Sequence, residues 1–367
     1  MKISDGPFLK INDIFPVNSV GIVTARDNLT IKCSPDEVWT TVLNFSKMDP
    51  ELAREAYNLG KDAKDWKVEL AQKDLIESGL DKSKVVPILY RPFDIRFTYY
   101  TGRSSGFICR PRPEVMKHMM RENLGLIISR QMDKSGIEPV FVANNIIDAH
   151  SITSATSISN LFPLYVYQKE LFNNSNEGEK KDPNIKAKFI KALSKAYGKQ
   201  PSPEEIFYYI YAVLYSNIYR QKYAEFLKMD FPRVPFTNNY SLFTKMAEYG
   251  NKLVELHLLK SPELELPVLK FQGDGDNQVE KVRYENNRVY INQSQYFEGI
   301  PGNVWEYQIG GYQVCDKWLK ERKGRKLSLE DIKHFCKIVA ALEKTLAIQN
   351  EIDKFYSQVE ESLFESS

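Results

Sequence analysis

The sequence is poor in the residues that build metal and thiol chemistry: it has four cysteines and four histidines in 367 residues. Cys33, Cys109, Cys315 and Cys336 are far apart and form no C-x-x-C pair, so the spacing of a thiolate metal site is missing. They read as buried or incidental thiols of a reducing compartment. No two histidines fall at ligand spacing. Long hydrophobic runs are missing as well. The most apolar stretch, 206–219, is broken by Ser216 and Asn217 and is too short to span a bilayer. The opening MKISDGPFLKIND lacks the basic-then-apolar order of a secretory signal. Together these absences give the expectation of a cytoplasmic protein.

Catalytic motifs are equally scarce. No glycine-rich loop ends in Lys-Ser or Lys-Thr, so nothing is built to cradle a nucleotide's phosphates. Gly273-Asp274-Gly275-Asp276 lacks a third glycine and a following helix, and reads as a turn. A base-flipping amino-methyltransferase needs Asn or Asp followed by two prolines and an aromatic. Asp49-Pro50 and Asp182-Pro183 each stop at one proline and read as helix caps. Asp62-Ala63-Lys64, Glu321-Arg322-Lys323 and Asp331-Ile332-Lys333 match a D/E-x-K nuclease spacing, but no upstream Pro-Asp accompanies them. No Ser-His-Asp or Cys-His set can be assembled. The pattern favours a binding module over an enzyme.

What the chain does have is aromatic side chains and unevenly placed charge. Its 21 Tyr and 20 Phe are core fillers first. The formal charge is only +2, but 81–134 holds 11 Lys or Arg against 5 Asp or Glu, and 312–326 holds 6 against 2. Such clusters either track phosphates or solvate a face.

Local signals divide the chain. Ser34-Pro35-Asp36-Glu37 and Asp49-Pro50-Glu51-Leu52 each predict a helix start, and Trp66 to Ser78 a third helix. Residues 85–100 switch to β-branched and aromatic runs separated by Arg91-Pro92-Phe93, which predicts paired strands. A short helix follows at Glu114 to Arg121, then strands at LGLIISRQ, PVFVAN and LFPLYVYQ. Polar residues 173–184 mark the best boundary. Helices then dominate to about 260, opened by the capping box Ser202-Pro203-Glu204-Glu205 and broken by Pro232 and Pro235. VRYENNRVYI predicts a hairpin around Asn286-Asn287. Ser328 caps a long terminal helix whose Ile332, Phe335, Val339, Leu342 and Leu346 step by 3, 4, 3 and 4 into one apolar seam. The fold class is α+β (mixed α/β), a mixed-sheet unit with a helical middle section and a long C-terminal helix.

Several stretches form an ordered set. They are Arg91-Pro92-Phe93-Asp94-Ile95-Arg96 with Tyr99-Tyr100, Arg110-Pro111-Arg112-Pro113-Glu114 with Met116 and His118, Ser129-Arg130-Gln131, and Leu161 to Tyr165. Further on come Tyr208 to Tyr223, Leu227-Lys228, Asp230 to Pro235, and Ile309-Gly310-Gly311-Tyr312 running into KWLKERKGRKLS. In this order they resemble the C-terminal specificity region of type ISP restriction-modification proteins, from about residue 6 to 360. In that family one polypeptide carries a nuclease, a helicase-like ATPase, an N6-adenine methyltransferase and then this region. The upstream motifs are absent here, which fits either a piece of such a polypeptide or a separately encoded component. The resemblance implies recognition of a double-stranded DNA sequence that directs a neighbouring methyltransferase. It also implies that S-adenosylmethionine, ATP and Mg serve other domains, with no cofactor in this chain. The expected organisation is a 1–172 α/β DNA-recognition unit, a 173–262 helical section, a 263–327 β-containing segment and a 328–367 helix. A metal-dependent nuclease and a scaffold bridging partner subunits stay open as alternatives.

Duplex recognition needs cations for phosphates and planar polar groups for base edges. Arg103, Arg110, Arg112 and Lys117 bracket a turn and a helix start, Arg130-Gln131 ends a strand, and Lys134 follows in the next loop. Asn144, Asn145 and the Ser/Thr stretch to Asn160 offer short donors and acceptors, with turn formation the competing role for the two asparagines. Lys320, Arg322, Lys323, Arg325 and Lys326 either meet phosphate or solvate the loop before the last helix. Arg91, Arg96 and Arg233, in proline-bearing turns, read as structural ion-pairing or carbonyl-capping groups.

Overall fold

The helix starts form where local chemistry demands them. In the computed structural model, which describes residues 7–130, 140–154, 157–169, 179–265 and 269–364, Ser34 and Glu37 close a capping box on the Pro35–Phe45 helix. Asp49 accepts from Glu51 and Leu52 backbone N–H groups at the start of Pro50–Ala56. The same reciprocal box opens Pro203–Tyr215 through Ser202 and Glu205, and Leu329–Glu361 through Ser328 and Asp331. Each satisfies N–H groups that the helix cannot bond internally. Asp182-Pro183 is not a cap. It lies in the strand Glu179–Pro183, antiparallel to Tyr165–Lys169 in a two-stranded ribbon, where a proline lacking N–H is tolerated at an edge. The predicted 114–121 helix divides into the α-turn Pro113–Met116 and the 3-10 turn Lys117–Met120.

Two four-stranded sheets organise the first half of the chain. One orders Ile31–Lys32, Asp94–Tyr99, Val85–Arg91 and Ile146–Ile147, the last pair parallel. The other orders Ser19–Val20, Ser159–Pro163, Gly125–Ser129 and Val140–Ala143, all antiparallel. Gly125–Ser129 and Val140–Ala143 are buried at every position, which explains why their sequences are continuous apolar runs. Alternate residues serve different cores. Ile127, Phe141, Ala143 and Leu161 join a core with Val38, Val42, Phe45, Trp66 and Ile88. Leu126, Ile128, Val140, Val142 and Phe162 join a second core with Ile11, Phe15, Ile206, Tyr209 and Phe243.

Packing therefore cuts across the order of elements along the chain. Phe8–Lys10 pairs with Arg233–Pro235, tying the first described residues to the helical section. The tyrosines of that section are core fillers whose hydroxyls reach buried carbonyls. Tyr209 donates to Pro235, Tyr215 to Val140 and Tyr219 to Arg233, each at 2.9 Å. Gly250 lets the Tyr240–His257 helix pack directly on Pro203–Tyr215, since a Cβ there would lie 1.8 Å from the Tyr208 carbonyl oxygen.

A small four-stranded sheet, Lys270–Gln272, Tyr296–Glu298, Arg288–Tyr290 and Arg283–Glu285, follows. Its predicted hairpin turns at Asn286 and Asn287, both with positive φ (52° and 60°), as a two-residue turn of matching twist requires. The terminal helix spans 33 residues, about 50 Å. Its apolar seam packs on this chain itself. Phe335, Ile338, Val339 and Leu342 enter the first core, and Ile352, Tyr356 and Val359 the second. One rigid rod thus fixes the two cores relative to each other. Among the described residues no helix is long and apolar enough to cross a membrane.

Candidate nucleic-acid interface

The Arg91–Arg96 motif is a buried clasp. Phe93 takes a left-handed conformation (φ 60°), costly for an aromatic residue, and its surroundings fix it. Its ring packs edge-on to Phe141 and His257, and its carbonyl accepts from His334 Nε2 at 2.8 Å. Asp94, 1% exposed, receives Arg96 Nη2 and Arg322 Nη2 at 2.9 Å each, and Arg96 Nη2 also reaches Glu321 at 2.9 Å. Burial alone would raise the Asp94 carboxyl, but the two guanidiniums outweigh it and hold it below the usual range. Arg91 pairs with Asp148 at 2.9 Å and stacks on Tyr90. There burial wins, and the Asp148 carboxyl sits above its ordinary value despite the arginine. Arg322, read from the sequence as part of a basic loop, is instead buried over the Trp318 ring and committed to Asp94. The cause is tertiary: Asp94 needs a second cation, and the chain supplies it from 228 residues away.

The candidate phosphate contacts lie mainly on loops. Residues 101–112 are organised by Asp74, buried on the Val68–Glu77 helix, whose Oδ2 accepts from Thr101 Oγ1 at 2.8 Å and Phe107 N at 2.9 Å. Gly106 is required beside it, because a Cβ would meet that oxygen at 2.2 Å. On this loop Arg103 pairs with Glu77 at 3.1 Å and Arg110 with Asp65 at 2.5 Å, both half-exposed. Arg112 has positive φ (53°) at the start of Pro113–Met116 and no carboxylate partner among the described residues. Lys117 is exposed and lines, with Glu114, His118 and Tyr167, an open cavity of about 600 Å³. Arg130, 70% exposed, lies 3.5 Å from Asp230. Gln131 and Lys134 fall outside the described residues.

Asn144 and Asn145 form the turn between Val140–Ala143 and Ile146–Ile147, with Asn145 Nδ2 donating to Asn144 Oδ1 at 2.9 Å. The Ser/Thr stretch beyond them does not face outward. Ser151, Thr153 and Ser159 are fully buried, Thr153 donates to the Ser157 carbonyl at 3.0 Å, and Tyr312 donates to the His150 and Thr153 carbonyls at 3.0 and 2.7 Å. The Thr153, Ser159 and Tyr312 hydroxyls satisfy buried backbone, so polar residues here serve the interior. Arg325 donates to Cys33 Sγ at 2.6 Å, while Lys323 is exposed with no ion-pair partner among the described residues. Lys320 and Lys326 are spent on Asp316 and Asp276. The candidates thus occupy several separate places. Arg103 and Arg110 share a loop, and the two asparagines touch.

The D/E-x-K carboxylates all have structural work. Asp62 receives Arg54 Nη1 at 2.9 Å, Glu321 belongs to the clasp, and Asp331 completes a capping box. Among the described residues no three His, Cys, Asp or Glu side chains are grouped to hold a metal ion. Sequence reading missed Asp65, Asp74 and Asp148, which orient the basic groups. Their partners are 27 to 57 residues away, and no local signal links them.

Comparison with known proteins bears on this architecture. The family described as the Type ISP C-terminal specificity domain matches residues 13–351. The chain belongs to that family. As a Type ISP specificity domain it shares its fold with three larger assemblies. They are a DrdV–DNA complex (23% identity, TM-score 0.71), the ATP-dependent Type ISP restriction-modification enzyme LlaBIII bound to DNA (17%, 0.68), and a nuclease-deletion mutant of the Type ISP enzyme LlaGI with a DNA substrate mimic (21%, 0.66). The matches cover 92%, 92% and 94% of this specificity domain but only 36%, 23% and 28% of those chains. No curated protein matches the sequence.

Proposed function

We propose that this chain reads a specific duplex DNA sequence and directs an N6-adenine methyltransferase that lies in another domain or subunit. The observation that carries this is the specificity-domain match over 13–351. The fold it shares with two DNA-bound Type ISP enzymes and with the DrdV–DNA complex supports it. In this reading the chain catalyses nothing itself, and S-adenosylmethionine, ATP and Mg are used elsewhere in the assembly. Arg103, Arg110, Arg112, Lys117, Arg130, Lys323 and Arg325, with Gln131 and Lys134, are the candidates for phosphate and base contact. The two asparagines act as turn formers first. Selection from a random duplex library, with this chain joined to its methyltransferase, tests the proposal. Enrichment of one short adenine-containing site that vanishes without this chain is the expected result. No enrichment with a folded methyltransferase would leave a bridging scaffold instead.

A further inference from the structure

The Ala187–Tyr197 helix carries charge in a way that nothing in the fold explains. From Asn184 to Gln200 the sequence has Lys186, Lys188, Lys191, Lys195 and Lys199 and no Asp or Glu. Lys188, Lys191 and Lys195 step by 3 and 4, so they share one face of the helix, and all three are exposed. Phe189 and Leu193 are buried in the second core and anchor the other side. Lys186 on the flank pairs with Asp13 at 3.5 Å, and Lys199 beyond the helix lies over the Tyr240 ring at 5.5 Å. The three stripe lysines have no carboxylate partner among the described residues.

Lys195 in the last turn suits the helix dipole, but the start of the helix and the row as a whole do not. Like charges at i, i+3 and i, i+4 repel, and Lys188 sits in the first turn, where the helix dipole disfavours a cation. The N-cap is Lys186, which makes no side-chain capping bond. A solvated helix face normally interleaves Glu with Lys to remove such repulsion, and this one does not. The uncompensated row therefore suits an anionic partner outside the fold.

We propose that this face is a sequence-independent phosphate-tracking surface for duplex DNA, with Lys188, Lys191 and Lys195 as its cations. The inference rests on the duplex-binding reading above and extends it to a helix outside the candidate loops. The row spans about 10 Å, and one strand presents a phosphate about every 3.4 Å of helix axis, so each lysine has a phosphate in reach. Lysine ammonium groups act as point charges without the bidentate fork that reads guanine edges, so the face holds the duplex without choosing its sequence.

The test is anisotropy of short labelled duplexes of unrelated sequence against a salt series, using the full chain. It compares the unaltered protein with Lys188→Ala/Lys191→Ala/Lys195→Ala, with the corresponding triple Arg variant, and with Arg110→Ala/Arg112→Ala. The Ala triple is expected to flatten the log affinity against log salt slope by up to about 2.7, or about 0.9 per contact, equally for all sequences. The Arg triple keeps the slope. Because Ala removes repulsion and favours helix, the Ala triple is expected to melt no lower than the unaltered chain, and thermal melting of each variant separates a lost contact from misfolding. An unchanged slope, with the Arg110/Arg112 variant still flattened, would overturn the stripe and leave the duplex reading standing. Normal duplex binding with lost methyltransferase association would make the face a protein-docking surface and overturn the proposal. No duplex binding by the unaltered chain, alone or with its methyltransferase, would overturn both.

Discussion

The terminal helix and the Ala187–Tyr197 helix treat lysine in opposite ways. On Leu329–Glu361 every lysine is matched: Lys333 with Glu330, Lys337 with Glu265, Lys344 with Glu263 and Lys354 with Glu351, at 2.5 to 3.1 Å. On Ala187–Tyr197 none of the three exposed stripe lysines is matched among the described residues. The buried clasp of Arg91, Arg96 and Arg322 is matched in the same way as the terminal helix, while Arg112 and Lys323 have no carboxylate partner among the described residues. Positive charge in this chain is either consumed in holding elements together or left facing outward. Residue type does not tell the two apart, whereas the presence of a carboxylate within reach does.

The sharpest way to break this comparison is at the clasp. Asp94→Ala leaves two buried guanidiniums without their shared carboxylate, and a loss of about 3–5 kcal/mol is expected in urea unfolding. A loss under about 1 kcal/mol would mean that the clasp is not holding the hairpin to the terminal region.

Acid sharpens the same side of the contrast through His257. Its Nδ1 accepts from Tyr211 O–H at 2.7 Å, and its Nε2–H donates to Thr345 Oγ1 at 2.9 Å, the Thr345 hydroxyl itself donating to the Ala341 carbonyl. A neutral ring is thus fully satisfied, and burial pushes its pKa down to about 3 from 6.5, with a smaller push from Arg220. The unfolded chain then binds the proton more readily than the native one. Its contribution is complete above pH 6.5 and is lost as pH falls towards 3. At about pH 5 this predicts a loss on the order of 2 kcal/mol relative to neutral pH. In His257→Gln the part of the pH dependence between neutrality and pH 5 should shrink. Equal decline in both proteins would assign the acid sensitivity to other groups.

Two smaller effects probe the outward-facing side. Arg110→Ala/Arg112→Ala should weaken binding to all duplexes alike and flatten the salt slope by roughly one unit per lost contact. An unchanged slope would remove both from the interface. Replacing Lys344 or Lys337 by Ala should cost less than about 1 kcal/mol, because these are partly solvated pairs. Duplex affinity should stay the same in both variants. A flattened salt slope there would show that matched lysines also meet DNA, and the distinction drawn between the two helices would fail.

Much of the fold was legible locally. Ser34, Ser202 and Ser328 announce their helices because a capping hydroxyl acts within three residues. Asn286-Asn287 announces its hairpin because only a few residue types accept positive φ at both turn positions. The terminal seam was legible as a 3-4 repeat, but whether it would meet this chain or a partner was not. The Asp182-Pro183 pair misled, because a cap and an edge strand accept the same dipeptide. The Ser/Thr stretch after Asn145 misled for a related reason: polar residues line buried backbone as well as they face solvent.

The candidate site was less legible than the fold. Sequence alone determined the capped helices, the paired strands, the absence of catalytic motifs and the ordered stretches that mark a specificity domain. These depend on contacts within a few residues, or on order along the chain. Only the tertiary structure decided that Arg322 is buried on Asp94, that Asp74 shapes the 101–112 loop, and that Lys188, Lys191 and Lys195 have no carboxylate partner among the described residues. An ion pair depends on which side chains the packed cores bring within about 4 Å of each other, and that separation in space bears no relation to separation in sequence.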